Sequence, residues 1–242
     1  MNKSPADPPA TVALTRRTPR ERFPALLQAL RKDRPEARIE LEYHGPFELL
    51  VATILSAQCT DTRVNKVTPE VFKRWPTPAA LAAADTTQVE GVIRSTGFFR
   101  AKARALIGCS RAITERHAGS VPRSMEALTA LPGVGRKTAN VVLGVAYGEA
   151  CGVVVDTHVT RVCRRLGLTR HTDPVRIEGD LLALLPQSDR VYFSIAMVLH
   201  GRYVCLARTP RCQECALSAD CPSRSRTMMS DRRRPPRGRG RG

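Results

Sequence analysis

Apolar residues recur along this chain at spacings of three and four, the signature of helices with one buried face. From Pro46 onward, Phe47, Leu50, Val51, Ile54, Leu55 and Gln58 follow that period. Residues 99–117 place Ala103, Leu106, Ile107 and Ile113 on one face, with Gly119 as a stop. Asp173-Pro174 opens a further helix through Leu181, Leu184 and Leu185, and residues 188–200 form one more, closed by Gly201. Thr77-Pro78 reads as an N-cap followed by proline at the first helical position. Gly152-Val153-Val154-Val155 is the competing strand candidate; it is short and flanked by helices, so a buried connector accounts for it equally well. The pattern predicts an all-α protein of about ten helices.

The chain has 242 residues, a hydrophobic fraction of 42% and a formal net charge of +17. Residues 224–242 contribute +7 and residues 1–20 contribute +3, which leaves +7 on residues 21–223. The part expected to fold is therefore basic in its own right, and a basic fold points to a polyanionic partner, most often nucleic acid. The bland alternative is charge that only keeps the chain soluble. No apolar run is long enough for a membrane span. The first residues lack the apolar stretch of a secretory leader. Residues 1–19 read as a disordered tail, and residues 224–242, with Pro235-Pro236 and an Arg-Gly repeat, as another.

The most informative segment is Leu131-Pro132-Gly133-Val134-Gly135-Arg136-Lys137-Thr138. A short helix capped by Ser124 precedes it, and a helix from Thr138 to Tyr147 comes after it, stopped by Gly148. Two helices are thus joined by a turn with two glycines. Glycine permits positive φ and close backbone approach, and a helix N-terminus presents amide N–H groups and a favourable dipole to an anion. Such a turn grips a phosphate without reading sequence. The nucleotide-binding P-loop is excluded because Arg136 stands before Lys137 and a helix, not a strand, precedes. The dinucleotide fingerprint is excluded because Thr138 stands where its third glycine belongs.

Lys137 sits at the N-terminal edge of the second helix. A free lysine is about 99.9% protonated at neutral pH, but the helix N-terminus and Arg136 both disfavour its ammonium, and burial in a cleft adds to that. A neutral amine could form a Schiff base; the plainer reading is a lysine that only touches a phosphate. Asp156, in Asp156-Thr157-His158-Val159, reads as the N-cap of the helix ending near Gly167, and one oxygen can cap while the other does chemistry.

Of the eight cysteines, Cys59, Cys109, Cys151 and Cys163 are scattered and read as reduced thiols. Cys205, Cys212, Cys215 and Cys221 crowd together with intervals of six, two and five residues. Four thiolates so close can hold a tetrahedral metal ion or a [4Fe–4S] cluster, and spacing alone does not choose between zinc and iron–sulfur. Arg202, Arg208 and Arg211 lie among them and would offset an anionic group. Disulfides are the remaining alternative, disfavoured in a reducing compartment.

The run Leu131-Pro132-Gly133-Val134-Gly135 is similar to the helix-hairpin-helix of the endonuclease III family of DNA glycosylases, and the likeness spans roughly residues 20–223. The resemblance implies two helical domains flanking a DNA-binding cleft: a six-helix domain at 38–149 with the hairpin at 131–135, and a cluster domain made of the N-terminal helix at 20–37 and residues 150–223. It implies a base-excision repair enzyme for double-stranded DNA containing damaged bases or abasic sites. In that family the hairpin lysine and the aspartate after the Gly/Pro-rich loop form the active pair, and Lys137 and Asp156 match those positions. The loop here has Gly148 and Gly152 but no proline.

The implied chemistry turns a damaged nucleotide out of the duplex. Lys137 attacks C1′, the base leaves, and β-elimination cuts the strand through a Schiff base. Asp156 steadies positive charge on the sugar and helps deprotonate Lys137. Adenine glycosylases of the superfamily typically lack this lysine and carry an extra C-terminal recognition domain, so the lysine and the short tail give the expectation of the lyase-competent branch. The cysteine intervals match the family's iron–sulfur motif in all three gaps, so the resemblance implies a [4Fe–4S] cluster that fixes a loop bearing Arg208 and Arg211. Gly133, Val134, Gly135 and Arg136 are expected on the DNA backbone. Gln58 matches a position that inserts into the duplex, and Phe98 falls where relatives have an aliphatic wedge, though core packing would also explain an aromatic there. Thr129 stands where relatives often carry an acidic residue near the pocket. The expectation is oxidised pyrimidines as substrates and a monomer in the cytoplasm at the nucleoid. A same-fold glycosylase of other preference with weak lyase activity, or a non-catalytic DNA-binding protein, remain the alternatives.

Overall fold

The structure is a computed structural model that describes residues 17–224. The tails expected at either end lie outside the described residues, apart from Arg17, Thr18, Pro19 and Arg224. Among the described residues there are α-helices and short 3-10 turns and no strand, so the all-α expectation holds. The chain divides into two compact units, one formed by Ile39–Val154 and the other by the residues up to Arg38 together with those from Val155 onward.

Within Ile39–Val154 the helices are α2 (Pro46–Leu55), α3 (Asp61–Arg74), α4 (Pro78–Ala82), α5 (Thr86–Ile93), α6 (Phe99–Arg116), α7 (Met125–Thr129) and α8 (Arg136–Tyr147). Short polar caps start most of them. Thr77 accepts from the Ala80 amide, Asp85 from that of Gln88 and Ser124 from that of Ala127, each satisfying an amide that a first turn leaves open. Helix α2 is buried on nearly every side through Leu49, Leu50, Val51, Ala52, Ile54 and Leu55, so it is the centre of the unit rather than an amphipathic surface helix. It packs against α6 and α8. Ala103, Leu106, Ile107 and Ile113 are buried, as their spacing predicts, and Gly119 follows α6 with φ of 76°.

The apolar period through Gln58 overstates α2, which ends at Leu55. The Cys59 amide bonds to Ser56 O at 3.0 Å instead of reaching back to Leu55, and Gln58 adopts a left-handed conformation, φ 52°. Gly152 to Val155 is an irregular connector, mostly buried, not a strand.

In the other unit α1 (Pro19–Asp33) opens with a capping box between Thr18 and Glu21. It is followed after the excursion by α9 (Thr157–Arg165), α10 (Pro174–Leu182) and α11 (Arg190–Tyr203). Arg22 of α1 is buried and donates to Leu166 O at 2.8 Å and Asp220 O at 2.7 Å, tying the N-terminal helix to the last turns of the described chain. Gly201 does not end its helix: α11 runs through it to Tyr203. A Cβ on Gly201 would stand 2.7 Å from His158 Cβ. The glycine is there to let α9 and α11 cross closely, a long-range reason that local pattern does not carry.

Candidate nucleic-acid interface and cysteine site

The hairpin forms as its residues suggest. The Val134 amide closes a turn on Leu131 O at 3.1 Å, and Val134 itself is buried, anchoring the turn. Gly133 has φ of 77°, and a Cβ there would lie 2.6 Å from Ala105 Cβ of α6. The two glycines differ in purpose. Gly135 has an ordinary φ of −92° and open space where a Cβ would be. It is the N-cap of α8 and supplies no side-chain cap, which leaves the helix start without the hydroxyl or carboxylate that an N-cap residue usually offers.

Helix α8 starts at Arg136 rather than at Thr138, which puts Arg136 and Lys137 on its first turn, both exposed. Within its own unit Lys137 is therefore not enclosed. Thr129, at the end of α7, turns its hydroxyl back on its own helix, donating to Met125 O and Glu126 O. Asp156 caps α9 as expected, its Oδ1 accepting from the Val159 amide at 2.8 Å, and it is half-buried.

Gln58 and Phe98 are both exposed, and both carry positive φ, 52° and 49°. Core packing does not account for Phe98, which is 66% exposed. Beside it the Phe99 ring has the guanidiniums of Arg94 and Arg100 over it at 5.9 and 5.6 Å.

Cys205, Cys212, Cys215 and Cys221 are free thiols lining one cavity, with about 410 Å³ of atom-free space that is partly open to solvent. Among the described residues no group of three or more His, Cys, Asp or Glu is placed so as to hold a metal ion. The four thiols on this one cavity are the residues that could hold a thiolate-ligated metal group. Arg165 Nη1 lies 3.3 Å from Cys205 Sγ and also donates to Leu206 O, while Nη2 donates to Ala207 O. Burial pushes the Cys215 thiol up to about 11 and that of Cys221 upward as well. Isolated thiolates are thus disfavoured there, and a cationic metal centre would supply the charge that stabilises them. Arg208 and Arg211 are exposed on this segment.

Two participants were not named from sequence. Arg165 is one; its signal was the basic run Arg161, Arg164 and Arg165 closing α9 just where a helix C-terminus favours cations. His200 is the other. It is 1% exposed, its Nε2 lies 3.5 Å from Cys215 Sγ, and burial lowers its pKa to about 4. Its position five residues before Cys205 gave no distinctive signal.

Residues 51–187 match the family model described as HhH-GPD superfamily base excision DNA repair protein. The chain is 55% identical over 204 residues to the endonuclease III of Synechocystis sp., an alignment covering 84% of this chain and 93% of that protein. A solved non-covalent endonuclease III–DNA complex superposes with a TM-score of 0.83 at 39% identity, covering 87% of this chain and 98% of the other. A trapped endonuclease III–DNA covalent intermediate does so with a TM-score of 0.82 at 40% identity, covering 86% and 98%.

Proposed function

The chain belongs to the endonuclease III family within the HhH-GPD superfamily of base excision DNA repair proteins, and from that premise we propose how it works as a DNA glycosylase and abasic-site lyase. The partner is double-stranded DNA carrying an oxidised pyrimidine or an abasic site, bound by a monomer at the nucleoid. No helix among the described residues is long and apolar enough to cross a membrane.

The turn of Gly133, Val134, Gly135 and Arg136 holds a DNA phosphate at the start of α8 through its outward amides, the Val134 amide staying on Leu131 O. The damaged nucleotide leaves the stack, and Gln58 and Phe98 enter the gap. The Lys137 amine attacks C1′ and the C1′–N bond breaks, its electron pair leaving with the base. The sugar ring opens to a Schiff base between C1′ and Nζ. A proton is lost from C2′ and the C3′–O bond breaks, expelling the 3′ phosphate. Asp156 steadies positive charge on the sugar in the first step and takes up the Lys137 proton.

Cys205, Cys212, Cys215 and Cys221 would hold a [4Fe–4S] cluster, aided by the Arg165 N–H at Cys205 Sγ. Bound there, the cluster would supply a structural tie, fixing the segment from which Arg208 and Arg211 meet phosphates.

The observation that carries this reading is the position of Lys137, exposed on the first turn of α8 directly after a glycine turn that lacks a side-chain cap. Borohydride trapping on duplex DNA with an abasic site tests it. A covalent adduct with the full chain, absent from Lys137→Ala, is expected. An undiminished adduct from the variant overturns the assignment, and excision without any adduct favours the weak-lyase alternative.

A further inference from the structure

We propose that Lys102 is a positioning residue that locks the Gln58 and Phe98 turns into one rigid duplex-opening edge, which α6 then holds at a set distance from the hairpin. The proposal rests on the reading of Gln58 and Phe98 as the residues that enter the opened duplex.

Lys102 is 5% exposed, on the inner face of α6. Its Nζ donates to Leu55 O and to Thr96 O, each at 2.8 Å. Leu55 is the last residue of α2, and Thr96 ends the 3-10 turn Arg94–Thr96. Both carbonyls are therefore terminal acceptors without an intrahelical donor, at the negative ends of their elements. The left-handed Gln58 follows the first, and the left-handed Phe98 follows the second. Ala118, the third left-handed residue other than glycine among those described, sits in the ordinary stop of α6 before Gly119.

Left-handed backbone is unfavourable for a residue with a Cβ and persists where its surroundings over-determine it. A buried lysine is costly as well, and burial lowers the Lys102 pKa, opposed by the Cys59 thiol nearby. A methionine would fill the same space without that cost. What the amine adds is one donor group shared by the roots of two exposed, strained turns. The remaining turns of α6 reach the hairpin: Ala105 lies under Gly133, and Gly108 faces Pro132, whose Cβ would be 3.4 Å from a Cβ on the glycine. At about 1.5 Å per residue, Phe98 and Ala105 are about 10 Å apart along the helix axis. One helix thus carries the wedge at its start and the phosphate cradle two turns on.

The test is a double-mutant cycle on the full chain. The probe is a duplex with a tetrahydrofuran abasic analogue opposite 2-aminopurine, whose fluorescence reports unstacking. Single-turnover excision from a thymine-glycol duplex and affinity for undamaged DNA are measured alongside. Lys102→Met is expected to lower unstacking and excision by about tenfold to a hundredfold, the scale of a misplacement near 1 Å. Affinity for undamaged duplex is expected to stay within about twofold, because the hairpin is untouched. In a Gln58→Ala, Phe98→Ala background, adding Lys102→Met should change unstacking by less than about twofold.

If Gln58→Ala and Phe98→Ala reduce unstacking while Lys102→Met leaves it alone, or lowers it additively, the positioning role is overturned and the duplex-opening reading survives. If neither Gln58→Ala nor Phe98→Ala has an effect, the duplex-opening reading itself fails. Should Lys102→Met not fold, Lys102→Gln, with a donor too short to serve both carbonyls, runs through the same cycle. Amide exchange in the free protein then reads the clamp directly. Faster exchange at Ala57–Cys59 and Gly97–Phe99 with Val142 and Leu143 unchanged supports it; uniform loosening overturns it.

Discussion

Gly133 sits so close over Ala105 that a Cβ on the glycine would stand 2.6 Å from that of the alanine. The hairpin's first glycine is therefore required twice, by its φ of 77° and by the approach of α6. Gly133→Ala is expected to cost at least about 1–2 kcal/mol for the left-handed backbone alone, and more as α6 is pushed away. Affinity for damaged and undamaged duplex should fall together. Gly135→Ala meets open space at an ordinary φ and should cost no more than about 1 kcal/mol, the difference between glycine and alanine as N-caps. Thermal unfolding of both variants checks this; equal destabilisation would contradict it.

Asp156 has a structural duty and a chemical one that a single substitution separates. Asparagine caps helices as well as aspartate does, so Asp156→Asn should keep the bond from the Val159 amide and lose less than about 1 kcal/mol of stability. Removal of the charge should lower single-turnover excision by about 10²–10⁴-fold. Asp156→Ala should lose the cap too, adding about 1 kcal/mol of destabilisation. Stability and excision rates measured on both variants separate the roles, and full activity in Asp156→Asn would remove Asp156 from the chemistry.

Arg165 and the exposed arginines of the cysteine segment should fail in different ways. Arg165→Met removes the N–H at Cys205 Sγ and the donors to Leu206 and Ala207 carbonyls. Loss of absorbance near 400 nm during purification is expected, with segment order lost along with it. Arg208→Ala and Arg211→Ala should keep that absorbance. Each should weaken DNA binding and lower the slope of log affinity against log salt by about one.

The scattered cysteines offer a check on packing. Burial pushes Cys109 to about 12, and Cys163, also enclosed, is pushed up further. Neither should be alkylated by iodoacetamide in the native protein at pH 8, because the thiolate is the nucleophile. Cys151 is exposed and should react. Peptide mass spectrometry with and without denaturant reads this directly; native labelling of Cys109 at the rate of Cys151 would show that the core around α6 is open to solvent.

The features legible in the chain are the local ones. Thr77, Ser124, Asp156 and Asp173 cap the helices they precede because capping involves a side chain and an amide only three residues on. The glycine turn, the lysine after it and the cysteine spacing are likewise short-range patterns. The features that stayed hidden depend on distant partners. Gly201 resembles a helix stop until His158 is seen against it. Lys102 resembles a solvated lysine on an amphipathic helix until Leu55 and Thr96 appear at its amine. Arg22 is hidden for the same reason, its partners lying at residues 166 and 220. The left-handed turn at Gln58 interrupts a period that the apolar residues alone would continue.

The central claim is that one amine, on the first turn of α8, makes the covalent bond to the sugar. Borohydride reduction of the enzyme on abasic duplex DNA, then nuclease digestion and peptide mass spectrometry, locates that bond. The account predicts the sugar remnant on Lys137 and on no other lysine. A remnant carried by another residue in the wild-type chain, with Lys137 unmodified, would contradict it.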